Sequence, residues 1–249
     1  MKIKVVGSGS SGNCYLVEDE DNILILDAGI PVKKIVSAID LGKNVSAVLV
    51  THEHMDHAKS MIQLSDRGIR VFASAGTWEA VAGIDNPRTW TQRTCVAKKR
   101  FKVDGFIIIP FDVQHDAEEP YGYYIISDRT NETIVYATDT YYLKYTFPAV
   151  NYWLIECNYA VDLVNDQFSG GEIGIDLRNR LMKSHMSLER LKDVLRANDL
   201  SETRALILCH LSDQRSDQDR MIKEINELCG VDTYVADAGA EFTLSLCPF

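Results

Sequence analysis

The residues of this chain that could do chemistry are concentrated in one stretch, Val48-Leu-Val-Thr-His52-Glu-His54-Met-Asp56-His57. An apolar run leads directly into His-x-His-x-Asp-His, and a helical pattern follows. Side chains alternate along an extended segment, so His52 and His54 point to the same side and can bind one ion. Asp56 and His57 come where the chain turns into the helix, so they can face a second ion. Imidazole and carboxylate ligands together suit Zn²⁺, Mn²⁺ or Fe at a hydrolytic site.

A solvated surface loop is the ordinary interpretation of a single histidine. Here the chain has six histidines, and three of them fall within six residues beside an aspartate. Clustered imidazoles without a metal would need other partners or would stay solvated. The concentration therefore favours a metal site.

Three further candidate ligands each follow a strand pattern: His115, Asp139 and His210. Taken singly, each histidine would more often be structural. Taken together, strand ends at one rim of a sheet can bring distant ligands into one site. The pattern predicts two ions, which would activate water and polarise the scissile group. The predicted ligand sets are His52, His54 and His115 for one ion, and Asp56, His57 and His210 for the other, with Asp139 bridging.

Several short strands and helices must position these residues in the first half of the chain. A helix is expected after Pro31, with Gly42 as its stop, because Pro favours the first turn and Gly the end of a helix. The predicted strands are Lys2–Val6, Asn13–Glu18, Asn22–Asp27, Val45–Thr51 and Ile69–Ala73. The other predicted helices are Asp56–Arg67 and Ala75–Gly83.

The second half repeats the order of strands and then helices. The predicted strands are Phe106–Val113, Tyr121–Ser127, Thr133–Ala137, Tyr152–Glu156 and the wholly apolar Ala205–Cys209. One helix begins with Ser187 as N-cap and buries Leu188, Leu191, Val194 and Leu195; another begins near Ser216 and buries Met221, Ile222, Ile225, Leu228 and Cys229. This order predicts an α/β fold of two face-to-face sheets with outer helices rather than a doubly wound parallel sheet.

The composition is that of an ordinary globular protein, with 46% hydrophobic and 25% charged residues among 249. One domain spanning residues 1–249 is expected. No stretch approaches the roughly 20 apolar residues that cross a bilayer, and no signal peptide is visible, so a cytoplasmic protein is expected. The six scattered cysteines lack a C-x-x-C pair, and most of them are expected to be free, buried thiols.

The formal net charge of −10 argues against a protein that coats nucleic acid by bulk charge. Two divalent ions would return about four positive charges at the site itself. Two local basic runs also occur, Lys98-Lys99-Arg100-x-Lys102 and Arg178-x-Arg180-x-x-Lys183. Each run is compatible with a solvated surface or with contact to nucleic acid.

The ordered set of histidines and aspartates resembles the metallo-β-lactamase fold superfamily over nearly the whole chain. The resemblance implies a four-layer αββα sandwich of two mixed β-sheets flanked by helices, with the metals at one edge of the sheets. It also implies a hydrolase that uses two divalent ions.

A narrower resemblance, to the YycJ (WalJ) group of that superfamily, rests on several motifs. It implies a DNA-processing phosphodiesterase with 5′-to-3′ exonuclease character. In that group, Gly is common at the position of Ser184 and Asn at the position of Leu188. These two differences concern the choice of substrate rather than the metal ligands. The motifs are Gly7-Ser-Gly-Ser-Ser-Gly-Asn13-Cys14-Tyr15, Asp112-Val-Gln-His115-Asp116-Ala, Ala137-Thr-Asp139, Glu156-Cys-Asn158, Ser184-His185-Met-Ser187 and His210-Leu-Ser212.

Two segments outside the ligand set are candidates for substrate binding. The loop that carries Ser8, Ser11 and Asn13 offers hydroxyls, an amide and backbone N–H groups to a phosphate, although Gly and Ser are also ordinary turn residues. His185 precedes the helix that Ser187 caps, where the helix dipole favours phosphate. His185 is expected to donate to a phosphate or leaving-group oxygen and, with Asp56, to be catalytic.

Three functions remain open. The first is a nucleic-acid phosphodiesterase, which makes nucleic acid the expected partner and zinc the expected metal, with manganese or iron as alternatives. The second is a hydrolase of a cyclic nucleotide, thioester, lactone or β-lactam. The third is a non-catalytic, metal-containing binding module, which the complete ligand set disfavours. No membrane partner is expected, and the sequence does not indicate an oligomeric state.

Overall fold

A computed structural model of the chain describes residues 1–83, 90–212 and 214–244. The strands are β1 (Lys2–Gly7), β2 (Cys14–Asp19), β3 (Asn22–Leu26), β4 (Asn44–Leu49), β5 (Val71–Ala73), β6 (Gln92–Thr94), β7 (Phe101–Val103), β8 (Phe106–Asp112), β9 (Tyr121–Ser127), β10 (Thr133–Ala137), β11 (Tyr152–Glu156), β12 (Ala205–Cys209), β13 (Asp232–Val235) and β14 (Glu241–Thr243). The helices are α1 (Val32–Ala38), α2 (Met55–Ala58), α3 (Met61–Asp66), α4 (Ala75–Ala82), α5 (Val161–Ser169), α6 (Ile175–Ser184), α7 (Leu188–Ala197) and α8 (Gln218–Cys229).

The described strands form two mixed, seven-stranded sheets, with the orders β14-β1-β2-β3-β4-β5-β6 and β13-β12-β11-β10-β9-β8-β7. Both sheets contain parallel and antiparallel pairs. The predicted α/β class, with two mixed sheets and accompanying helices, is confirmed.

The chain divides into two compact units, and the first comprises residues 1–112, 117–132 and 237–249. This unit contains the first sheet and the antiparallel strands β7, β8 and β9. Its core packs the apolar faces of β2, β3 and β4 against Met61, Leu64 and Trp78 of α3 and α4. Strand β2 is buried over all six residues.

The second unit comprises residues 113–116 and 133–236. Strands β10, β11, β12 and β13 run parallel, so their carboxyl ends lie at one edge. Strands β11 and β12 are buried at every position, as expected for strands covered on both faces. A smaller cluster of Tyr159, Val164, Ile173 and Leu181 supports α5 and α6.

Many predicted elements are confirmed. Strands β9, β10, β11 and β12 have the predicted bounds. Ser187 caps α7, and the four predicted apolar residues of that helix are buried. In α8, Met221 and Ile225 are buried as predicted, whereas Ile222, Leu228 and Cys229 are only partly buried.

Other predictions were wrong or incomplete. The single helix expected over Asp56–Arg67 is two helices, α2 and α3. Helix α1 ends at Ala38, before the predicted stop at Gly42. Helices α5 and α6 were not predicted.

Five cysteines lie in the described part of the chain, and none of these five forms a disulfide, as expected. Four of them are buried, and Cys229 is partly buried. Cys247 lies outside the described residues. Among the helices that the structure describes, none has the length and apolar character to span a membrane. The expectation of one domain over residues 1–249 stays a prediction.

Candidate metal centre

The His-x-His-x-Asp-His stretch lies just after β4, where the chain enters the four-residue helix α2. His52 and His54 have ligand nitrogens within 4.8 Å of each other, and their ring centroids are 4.7 Å apart. Asp56 Oδ2 lies 3.6 Å from His57 Nε2. The stretch thus brings its four candidate ligands close together, with the His52 ring centroid also 4.3 Å from that of His57; their binding of metal ions stays a prediction.

The break between α2 and α3 has a clear cause in the hydrogen bonding of this turn. The Asp56 carbonyl accepts from the Asn13 backbone N–H at 2.7 Å, and the His57 carbonyl accepts from that of Ala28 at 2.7 Å. Ser60 donates its backbone N–H to Ala28 at 2.9 Å. A continuous helix would need that donor for the Asp56 carbonyl. Helical bonding is therefore exchanged for bonds that fix the ligand turn to two neighbouring loops.

Gly29 permits this close contact. A Cβ atom at residue 29 would lie 1.6 Å from the Asp56 carbonyl oxygen, a distance that no side chain tolerates. The Gly29 N–H also donates to the Asn13 carbonyl at 2.9 Å. Glycine is therefore required here by backbone approach.

Asp27 orients the ring of His57 through a hydrogen bond to Nδ1. His57 Nδ1 donates to Asp27 Oδ2 at 2.7 Å, and both side chains are completely buried. Thr51 donates its backbone N–H to Asp27 Oδ1 at 2.8 Å, and its hydroxyl contacts both carboxylate oxygens. This bonding places the proton on Nδ1 and the lone pair on Nε2, the arrangement of a metal-ligating histidine.

The loop proposed to bind phosphate is organised around Asn13. Asn13 is buried; its Oδ1 accepts from the Gly9 N–H at 3.0 Å and the Tyr15 hydroxyl at 3.1 Å. Its Nδ2 lies 3.1 Å from His57 Nε2. Ser8 Oγ lies 2.9 Å from the Tyr15 hydroxyl, and Ser11 is exposed. These contacts give Asn13 a role in positioning the loop and His57; substrate binding by Ser8, Ser11 and Asn13 stays a prediction.

In the second unit, Asp139, Glu156 and His210 lie at the carboxyl ends of β10, β11 and β12. Asp139 and His210 have φ angles of 47° and 54°, in the left-handed region. Asp and His adopt this region more readily than most residues, although it still costs energy. Both side chains lie at this edge with Glu156.

Glu156 is the buried centre of this group. His185 Nδ1 and His210 Nδ1 donate to its Oε1 at 2.7 and 3.0 Å. The backbone N–H groups of Thr140 and Met186 donate to its Oε2 at 3.0 and 3.1 Å. Burial alone would raise the pKa of this carboxyl, but the charge and hydrogen bond of His185 and the bond from His210 hold it below its ordinary value.

His185 lies between the two carboxylates of this group, with Nδ1 2.7 Å from Glu156 and 3.2 Å from Asp139. Burial lowers the pKa of the imidazole, but the two carboxylates outweigh it and raise the pKa to about 9. Asp139, Glu156, His185 and His210 have ligand atoms within 4.8 Å of one another, so the group could hold a cation. Ser187 is buried as the α7 cap and accepts from Arg190; its role with substrate stays a prediction.

His115 is held by the end of α6. Its Nδ1 donates to the Ser184 carbonyl at 2.9 Å, and its ring centroid lies 5.5 Å from that of His185. Burial lowers the pKa of His115, although the charge of Asp139 opposes the effect. A neutral ring with its proton on Nδ1 presents Nε2 as a metal ligand.

The donor set fits a divalent ion. Imidazole nitrogens and carboxylates suit zinc, iron or manganese, and His57 and His115 are each held through Nδ1. Sequence reasoning missed Asp27 and Gly29. Asp27 follows an apolar strand, which is the signal that identified Asp139. No pattern in the sequence around Gly29 indicates its close approach to Asp56.

Comparison with known proteins shows the family. A model described as the beta-lactamase superfamily domain matches residues 26–211. Exodeoxyribonuclease WalJ of Streptococcus pneumoniae is 28% identical over 257 residues, covering 96% of this chain and 90% of that protein. Exodeoxyribonuclease YycJ of Bacillus anthracis is 28% identical over 224 residues, covering 85% and 83%.

A solved structure confirms the fold class. The metallo-β-lactamase fold protein YhfI from Bacillus subtilis superimposes with a TM-score of 0.73 at 19% identity, covering 97% of this chain and 98% of that one. The predicted metallo-β-lactamase fold, with two mixed β-sheets and flanking helices, is therefore confirmed. Since the family model matches well over half of the sequence, this chain is a member of the beta-lactamase superfamily.

Proposed function

We propose that this chain is a metal-dependent phosphodiesterase that degrades DNA from an end, in the 5′-to-3′ direction. The observation that carries the proposal is the similarity, over 96% of the chain, to a protein named as an exodeoxyribonuclease. The imidazole and carboxylate groups of both units support it, because such groups hold the divalent ions that phosphodiester hydrolysis uses. A DNA substrate fits a cytoplasmic location.

Seven residues are proposed to hold two ions, zinc first and manganese or iron as alternatives. Bound divalent ions would supply Lewis acidity, lowering the pKa of water and neutralising charge on the phosphate. Asp27 would keep the His57 ring in its ligating form, and the Ser184 carbonyl would do the same for His115. The proposed ligands are His52, His54, Asp56, His57, His115, Asp139 and His210.

The proposed catalytic roles belong to Asp56 and His185. Asp56 is placed beside His57 by the bond from Asn13 to its carbonyl, and its carboxylate would orient the attacking water. His185 is held through Nδ1 by Glu156, so its Nε2 would donate to the phosphate or to the leaving oxygen. Ser8, Ser11, Asn13 and Ser187 are proposed to contact the substrate.

A substrate panel tests this function against the small-molecule alternative. Metal-loaded protein would receive end-labelled single- and double-stranded DNA, bis-p-nitrophenyl phosphate, a cyclic nucleotide, a thioester, a lactone and a β-lactam. His54→Ala controls for contaminating nuclease. We expect DNA and the phosphodiester reporter to be cleaved by the wild type alone. Cleavage of the small substrates with DNA left intact would refute the nuclease proposal.

A further inference from the structure

Helices α5 and α6 present apolar side chains that their own core does not use. The small core beneath them is formed by Tyr159, Val164, Ile173 and Leu181. Phe168, Ile175 and Leu177 are instead 39%, 47% and 40% exposed. Exposed apolar groups that are close in sequence and rimmed by charge mark interaction surfaces more often than isolated ones.

The last two turns of α6 are strongly basic. Between Leu177 and Ser184 the chain has three cations, Arg178, Arg180 and Lys183, and no acid. The helix dipole favours a cation in the last turn, which accounts for Lys183 but not for the two arginines before it. The Arg180 side chain is 68% exposed, and its Nε lies 3.7 Å from Asp116 Oδ2.

Arg178 packs against the ring of Phe168 on α5. The Arg178 guanidinium carbon lies 5.5 Å from the centroid of the Phe168 ring. Arg178 also donates to the side chain of Asn165 on α5 at 2.9 and 3.0 Å. The cation and the ring therefore form one fixed surface that joins α5 and α6.

Helix α6 connects this surface to the catalytic groups. The helix ends at Ser184, directly before His185, and the Ser184 carbonyl accepts from His115. Arg190 of α7 donates to the Met182 carbonyl at 2.8 Å, which fixes this end of α6. A ligand lying along α6 would therefore lead directly to His185.

We infer that the exposed surface of α5 and α6 binds single-stranded nucleic acid, with a base stacked on Phe168 and backbone phosphates on Arg180 and Lys183. Phe168 is in contact with the cation of Arg178, and Arg180 and Lys183 follow on the same helix. Exposed aromatic rings combined with cations are the groups that bind single strands without reading their sequence. A protein partner would fit the apolar groups, whereas the exposed cations Arg180 and Lys183 favour a phosphate backbone. The inference rests on the proposed function, since it describes how that site holds its substrate.

Binding can be measured apart from cleavage in a His54→Ala background, using fluorescein-labelled single-stranded DNA and anisotropy. Removing one stacked base should weaken binding about tenfold, and removing two phosphate contacts should have a similar effect. The test variants are Phe168→Ala and the double variant Arg180→Ala/Lys183→Ala. The matched controls are Leu41→Ala, at a residue 94% exposed, and Lys33→Ala/Lys34→Ala.

The same substitutions in the otherwise wild-type chain should leave hydrolysis of bis-p-nitrophenyl phosphate unchanged, because this ester is too small to reach α5. Unchanged DNA affinity in both test variants would overturn the inference. A wild-type dimer that becomes monomeric in Phe168→Ala, seen by sedimentation, would also overturn it, by assigning the surface to a second copy. DNA binding that depends on Phe168 without cleavage by the wild type would uphold the surface and refute the proposed nuclease.

Discussion

The carboxylate of Asp27 lies 2.7 Å from Nδ1 of His57, and neither side chain is accessible to solvent. This contact joins the end of β3 to the candidate ligand turn after β4. The carboxylate is itself fixed by the backbone and hydroxyl of Thr51. Asp27, which follows β3 and is held by Thr51 after β4, therefore determines that Nδ1 of His57 carries the proton.

Asp27→Asn should weaken metal binding without removing a metal ligand. The amide preserves the shape but loses the charge that favours the ligating form of His57, so metal affinity should fall about 10- to 100-fold. Competition with a chromophoric chelator measures the affinity. Asp66→Asn, at an exposed position of α3, is the matched control. Equal affinities in the wild type and Asp27→Asn would contradict the role of Asp27.

Gly29→Ala should be severely destabilising. The new Cβ would lie 1.6 Å from the Asp56 carbonyl, so the ligand turn or the loop must move. We expect a loss of about 4 kcal/mol or more in the free energy of unfolding. Gly174→Ala, where no atom lies within 4 Å of the added Cβ, should cost no more than about 1 kcal/mol. Denaturant titration measures both, and similar small losses would show that the turn can relax.

Glu156→Gln should affect both stability and cleavage. The carboxylate now accepts hydrogen bonds from donors that include His185 and His210. In the glutamine variant one of its oxygens becomes an NH₂ group, which cannot accept from a donor. Disrupting a buried charged group of this kind costs about 3 kcal/mol, and DNA cleavage should fall at least tenfold as His185 loses its orientation. Glu227→Gln, a 66% exposed residue paired with Lys223, is the control. Unfolding and turnover both matching the wild type would refute this role.

Cys95 should resist alkylation in the folded protein. Burial raises the pKa of its thiol from 9.0 to about 12, so the reactive thiolate is suppressed. Because the folded pKa is the higher one, Cys95 contributes stability below about pH 9 that is lost as the pH rises toward 12. Mass spectrometry after iodoacetamide treatment at pH 8.5 should find Cys95 labelled only in denaturant. Labelling of the native protein at the unfolded rate would contradict its burial.

Sequence periodicity predicted the elements that are buried on a regular face. Strand β12 and helix α7 have the expected bounds or buried residues because continuous or 3.6-residue apolar patterns define them. Helix α6 escaped prediction because only Leu181 and Ser184 are buried in it, while Ile175 and Leu177 face solvent. No amphipathic pattern remains to be recognised in such a helix.

The candidate site was predictable in its residue types but not in its supports. Histidine and aspartate at strand ends identified the proposed ligands. The interruption of the helix after His57 could not be foreseen, because it depends on Asn13 and Ala28, which are distant in sequence. These hydrogen bonds form only in the tertiary structure, so the helix propensity of the local sequence does not predict where the helix is interrupted.

The proposed nuclease function is tested most directly by measuring metal-dependent shortening of DNA. Chelator-treated protein would be titrated with Zn²⁺ or Mn²⁺ and given 5′- or 3′-labelled single-stranded DNA, with bound metal measured in parallel. We expect activity to rise to a maximum at two ions per chain, with the 5′ label released first, and His54→Ala to remain inactive. DNA left intact at full metal loading, or cleaved equally by the metal-free protein, would contradict the account.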